Sequence, residues 1–211
     1  MSGRILDAVI LAGGRSRRMG CEKALLELGG ETLVERLAHR LGASFHRLLV
    51  SSGSEPPSAG LTAALDRLRS AGLQVATVAD RRADFAGPLA GVEAALAVIE
   101  GEDAFFAAVD IVEMDEPLAE RLLAASAAPG SLGAVPRCGG ILQGAFAVYS
   151  SALLPAVTSL LDGGEARLQS LAGIEGVSVV EVEASAGAVF SGLNTPAEYE
   201  AARTRVEDGG G

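Results

Sequence analysis

The chain has 211 residues, with 27 Asp and Glu against 17 Lys and Arg for a formal net charge of −10, and 49% of its residues are hydrophobic. That length suits one domain whose core can fold without disulfides or a structural metal, and the acidic balance excludes a general nucleic-acid binder, whose surface must attract phosphate. Cys21 and Cys138 stand far apart and outside any C-x-x-C or histidine-flanked spacing, so two reduced thiols are expected rather than a disulfide framework or a zinc site.

In chain order, Ile5 to Leu11 reads as a first strand. The apolar run to Ala12 contains Asp7 and is followed by arginines, the reverse of a secretory leader, and no run reaches the length of a membrane span. A cytoplasmic protein without a membrane partner is the expectation. Thr32 caps a helix whose apolar positions Leu33, Val34, Leu37 and Leu41 recur at three- and four-residue steps up to Gly42. Phe45 to Val50 is a second strand. The stretch GSEPPSAG, Gly53 to Gly60, is a loop leading into an amphipathic helix that stops near Gly72.

Leu73 to Ala79 forms a third strand, and Pro88 opens a helix at a position where its missing N–H costs nothing, the apolar stretch running on to Ile99. Ala104 to Val109 is a fourth strand, and a helix follows Pro117. LGAV (132–135) and GILQGAFAVY (140–149) are apolar enough for strands, Ser151 to Leu161 is helical, Val177 to Val182 alternates like a strand, and Thr195 with Pro196 starts a last helix. Strands alternating with helices predict a three-layer α/β/α sandwich with a mostly parallel, Rossmann-like sheet. Residues 1–206 form the expected single domain, and 207–211 a frayed tail.

In such a sheet the loop after the first strand is the usual place for phosphate. Here it reads GGRSRRMGCEK: Gly13 and Gly14 let backbone N–H groups approach a ligand, while Arg15, Arg17, Arg18 and Lys23 supply charge against the single acid Glu22. A polyphosphate is the expected guest. It is not a Walker A loop, since Gly20 stands three residues before Lys23 and Ala24 follows it, and the adjacent Gly13 and Gly14 do not form G-x-G-x-x-G.

The segment Leu11 to Leu25 resembles the nucleotidyltransferase signature L-A-G-G-x-S-x-R-M-G-x-x-K-A-L, in the form carried by the molybdenum cofactor guanylyltransferase family. Three further segments come in the family's order: DRRADFAGPLAG (Asp80 to Gly91), FFAAVD ending at Asp110, and FSGLNTPAEY near the C-terminus. The resemblance implies a nucleotide-diphospho-sugar transferase-like fold and transfer of GMP from GTP to molybdopterin with release of pyrophosphate. It implies Lys23, Arg18 and Asp110 as catalytic residues and Asp110 as the ligand of Mg²⁺. Nucleotide contacts are implied for Leu11, Ala12, Gly13, Gly14, Arg15, Lys23, Ser51, Asp80 and Asp110. Transient contact with molybdenum cofactor assembly proteins belongs to the same set of expectations.

The chain departs from the family pattern at several points. Asp110 is followed by Ile111 and Val112 where the family has D-x-P. Gln143, Gly144 and Ala145 stand for a Q-P-L-like segment, and Gly192 replaces the first C-terminal asparagine, leaving Asn194. Ser51 stands for a common asparagine and Glu22 for an aspartate, and the stretch from Ser51 to Asp80 is longer than the resemblance leads one to expect. Two other readings therefore stay open: a cytidylyl- or sugar-nucleotidyltransferase on the same fold, and a non-catalytic nucleotide-binding protein with a degenerate acceptor site. Asp84 reads as a loop acid, and His39 and His46 as surface or structural residues.

Overall fold

The computed structural model describes residues 6–13, 22–82, 87–183, 190, 192–193 and 195–208. Expectations for Gly14, Arg15, Arg17, Arg18, Cys21, Asp84, Asn194 and residues 209–211 lie outside them.

The first strand, β1 (Asp7–Leu11), is buried on both faces and sits in the middle of the sheet. A short hairpin, β2 (Glu27–Leu28) and β3 (Glu31–Thr32), precedes α1 (Leu33–Gly42). Then come β4 (Arg47–Ser51), α2 (Ala59–Ser70), β5 (Val75–Val78), α3 (Pro88–Leu96) and β6 (Asp103–Ala108). The second half contributes α4 (Glu116–Ser126), β7 (Gly133–Cys138), β8 (Ile141–Leu142), β9 (Phe146–Ser150), α5 (Leu154–Asp162), β10 (Val177–Val182) and α6 (Pro196–Asp208).

The main sheet runs β10-β7-β9-β6-β1-β4-β5, with β8 paired to β7. β6, β1, β4 and β5 are mutually parallel, as are β7 and β10, whereas β9 lies antiparallel between β6 and β7. Side-chain alternation sorts the core into two layers. Ala8 and Ile10 of β1 join α1, α2 and α4 on one face, while Val9 and Leu11 join α3 and α5 on the other. The α/β/α expectation is borne out.

Most element ends agree with the sequence reading to within a few residues. One difference is physical. The run GILQGAFAVY does not form one strand: Gly139 and Gly140, both at positive φ, turn β7 back on itself so that Ile141 pairs with Cys138. A second turn, closed by Phe146 N–H donating to Gln143 O at 3.0 Å, then launches β9.

The Thr32 cap forms as expected and gains a second function. Glu35 returns its carboxylate to the Thr32 N–H at 3.0 Å and also accepts from Arg67 of α2 at 2.6 Å, so one buried acid joins α1 to α2. Burial pushes the Glu35 carboxyl up, but the bonds from Arg67 and from the Thr32 hydroxyl and N–H outweigh it and hold the pKa at about 2. A depressed folded-state pKa stabilises the fold above the ordinary value of 4.5 and loses that contribution as pH falls toward 2. Glu35→Gln is therefore expected to lower unfolding stability by about 1 kcal/mol at neutral pH, with the two stability curves converging as pH falls from 4.5 toward 2; denaturant melts across that range check it.

Candidate functional site

β1 and β6 are neighbours, Leu11 lying opposite Ala108. The segments leaving their carboxyl ends therefore start side by side. Backbone bonds tie four strand ends together: Ala12 N–H to Ser51 O at 2.9 Å, Val109 N–H to Leu11 O at 3.1 Å, Ser52 N–H to Val78 O at 3.2 Å, and Asp80 N–H to Gly53 O at 2.9 Å. They make a rigid floor beneath whatever the loops hold.

Lys23 opens a 3-10 turn, Lys23–Leu25, at the far end of the glycine-arginine segment. Its Nζ donates to Asp110 Oδ2 at 2.8 Å, across 87 residues of sequence, and the two side chains are only 17% and 18% exposed. Partial shielding makes such a contact stronger than a surface ion pair. Asp110 itself lies in the turn after β6, fixed by Ile111 N–H to Ala108 O at 3.0 Å, while Arg40 of α1 binds Val112 O at 3.0 Å. That arginine anchors the chain where the family carries a proline.

Gly13 is present for space. A Cβ there would stand 2.7 Å from Gly53 N and 3.0 Å from Gly53 Cα, so only a glycine lets the loop after β1 touch the loop after β4. Gly53, at φ +88°, turns in the left-handed region.

Ser51 ends β4 and is 2% exposed. Its side chain faces α3, whose Gly91 approaches so closely that a Cβ would lie 2.6 Å from Ser51 Oγ and 3.3 Å from Leu11 Cδ2. Ser51 bonds the Asp80 carboxyl. Burial raises the Asp80 pKa, the Ser51 bond opposes the rise, and the charge of Glu93 adds to it. Asp80 Oδ1 is buried without a hydrogen-bond partner among the described residues. An orphaned acceptor at a strand end is suited to a ligand N–H or hydroxyl.

Two residues on, Arg82 grips Glu93 of α3 with bonds of 3.0 and 2.9 Å and Asp162 of α5 at 2.9 Å, and Thr158 adds a bond to Glu93 at 2.9 Å. This clamp, like the roles of Gly53 and Gly91, has no signature in the sequence. Gly91 ends the GPLAG segment, but nothing local announces its contact with Ser51.

On the side expected to receive the acceptor, Gly144 is imposed by packing. A Cβ there would meet Leu168 Cβ at 2.7 Å and its backbone carbonyl at 3.0 Å, and Tyr149 OH donates to Gly144 O at 2.9 Å. Gly192 N–H bonds Phe190 O at 2.9 Å. His39 pairs with Glu31 at 2.7 Å on the exposed face of α1, and His46 is exposed one residue before β4 rather than within a strand. Cys138 is a free, buried thiol.

Thus the structure gathers Leu11, Ala12, Gly13, Lys23, Ser51, Asp80 and Asp110 at the carboxyl edge of four adjacent strands, while Gly14, Arg15 and Arg18 lie outside the described residues. This fold, with such an edge, is that of the nucleotidyltransferases. The family model described as the MobA-like NTP transferase domain matches residues 8–181, and the chain belongs to that family.

A "probable molybdenum cofactor guanylyltransferase" of Pelotomaculum thermopropionicum is 36% identical over 208 residues, 95% of this chain and 93% of that protein. A molybdenum cofactor guanylyltransferase of Pseudomonas putida is 36% identical over 89% of this chain and 92% of its own. Among solved structures, molybdopterin-guanine dinucleotide biosynthesis protein A of Archaeoglobus fulgidus shares the fold, with a TM-score of 0.72 at 19% identity, covering 96% of this chain and all of that one.

The Gly13 contact gives a direct test. Gly13→Ala is expected to push the two loops apart, lowering stability by about 1–3 kcal/mol and weakening nucleotide binding more than Gly173→Ala, whose Cβ would meet nothing within 4 Å. Thermal melts and calorimetric titration with GTP measure both.

Proposed function

We propose that this protein transfers GMP from GTP to the terminal phosphate of molybdopterin and releases pyrophosphate. The observation that carries the reading is the 2.8 Å contact between Lys23 and Asp110 at the ends of two adjacent parallel strands, and the names of its relatives support it.

In the reaction an oxygen of the acceptor phosphate forms a bond to the α-phosphorus of GTP as the bond from that phosphorus to the bridging oxygen of pyrophosphate breaks. Charge accumulates on both sides of the phosphorus, so the site must offer positive charge already in place. Lys23 meets the triphosphate with its ammonium. The backbone N–H of Gly13 approaches the same phosphates, while the Ala12 N–H is bonded to Ser51 O at 2.9 Å. Asp80 and the end of β4 face the nucleoside, where the unpartnered Asp80 oxygen accepts a hydrogen bond from a base or ribose donor.

Asp110 offers hard carboxylate oxygen, which suits Mg²⁺, an ion commonly held by one or two carboxylates and completed by substrate phosphates and water. Among the described residues no three of His, Cys, Asp and Glu gather into a cage; the ion would take its other ligands from the nucleotide and water. When bound, it supplies Lewis-acid stabilisation of phosphoryl oxygen. In this reading GTP and molybdopterin are the partners and the cytoplasm is the location. No helix among the described residues is long and apolar enough to cross a membrane.

With Mg²⁺ present, GTP is expected to raise the melting temperature more than CTP or ATP does, since a ligand that binds only the folded state stabilises it by mass action. A larger shift with CTP would favour a cytidylyl donor. Asp110→Ala is expected to abolish pyrophosphate release in the presence of molybdopterin, and Lys23→Met to lower kcat by about 100-fold or more. Near-normal turnover in either variant removes that residue from the mechanism.

A further inference from the structure

Glu22 is the only acid between Gly13 and Lys23, and nothing in the transfer chemistry above uses it. Its carboxylate accepts a hydrogen bond from Ser58 Oγ at 2.6 Å, while the same Oγ accepts from Leu61 N–H at 3.0 Å as the N-cap of α2. The hydroxyl thereby donates to one partner and accepts from the other. The first turn of α2 contains no acid of its own, so the Glu22 carboxylate also complements the positive end of that helix.

A second contact lies on the other side of Lys23. A Cβ on Gly60 would come within 2.5 Å of Leu25 Cδ1, so the first turn of α2 lies directly against the turn that bears Lys23. That turn is closed by Leu25 N–H to Glu22 O at 3.0 Å and Leu26 N–H to Lys23 O at 3.1 Å. Lys23 is thus flanked by two attachment points, Glu22 before it and Leu25 after it, both on the start of α2.

We infer that Ser58 and Glu22 are positioning residues for Lys23: the capped first turn of α2 sets where the ammonium stands relative to Asp110 and the incoming triphosphate. The inference rests on the role of Lys23 under Proposed function.

The test keeps the cap and reverses the contact. Ser58→Asp retains a strong N-cap acceptor for α2 but sets a second carboxylate against Glu22. It is expected to leave the melting temperature at the wild-type value, to lower kcat for pyrophosphate release about tenfold, and to change KM for GTP by no more than about threefold. Adding Glu22→Gln to the same chain turns the repulsion into an amide-to-carboxylate hydrogen bond and is expected to restore kcat.

Wild-type kcat in Ser58→Asp overturns the inference. So does a loss that follows the melting temperature and is not restored by Glu22→Gln. Lys23→Met separates the two levels: if it retains full activity, the reading of Lys23 fails and this inference with it, whereas a slow Lys23→Met beside a fully active Ser58→Asp refutes the positioning role alone.

Discussion

The site depends on one constraint, that a lysine and an aspartate 87 residues apart meet at 2.8 Å because the strands before them are neighbours. Parallel pairing of β1 with β6 sends both chains out of the sheet at the same edge, and short backbone bonds hold the turns beyond it. Each partner is more than four-fifths shielded from water. Two such charges left without each other or a ligand would be costly, so the pair keeps the centre ordered.

Around that pair, close approach is made by glycine and held by buried ions. Gly13 lets the loop after β1 lie against Gly53, and Gly91 lets α3 press on Ser51, which in turn holds Asp80. Arg82 and Glu93 bind the segment after Asp80 to α3. The chain is acidic overall, with a formal net charge of −10, and among the described residues the strand-end edge sets Lys23 beside Asp110, with Asp80 at the end of a neighbouring strand.

Much of this was legible in the chain. Thr32 followed by Glu35, and Thr195 followed by Glu198, are capping boxes that form as their spacing requires, and Val177 to Val182 is a strand with the expected ends. The glycine-arginine segment carries the expectation of a phosphate site through its residue types at the end of a buried strand, and residues 14–21 of it lie outside the described residues. What stayed hidden was long-range. The β2–β3 hairpin has two residues per strand, too few to show a period. An apolar run such as that of β9 carries no sign of its direction in the sheet, and the partners of Gly13, Gly91 and Gly144 lie 40, 40 and 24 residues away. Gly144 shows the gain from coordinates: a departure from the family pattern becomes a packing requirement against Leu168.

The central claim is tested most directly by following the α-phosphorus. With GTP labelled at that position, Mg²⁺ and molybdopterin, the label is expected to move into a molybdopterin-guanine dinucleotide, with one pyrophosphate released per label transferred. Label that stays in GTP while the nucleotide is bound, or that appears as free GMP without the dinucleotide, would contradict the account.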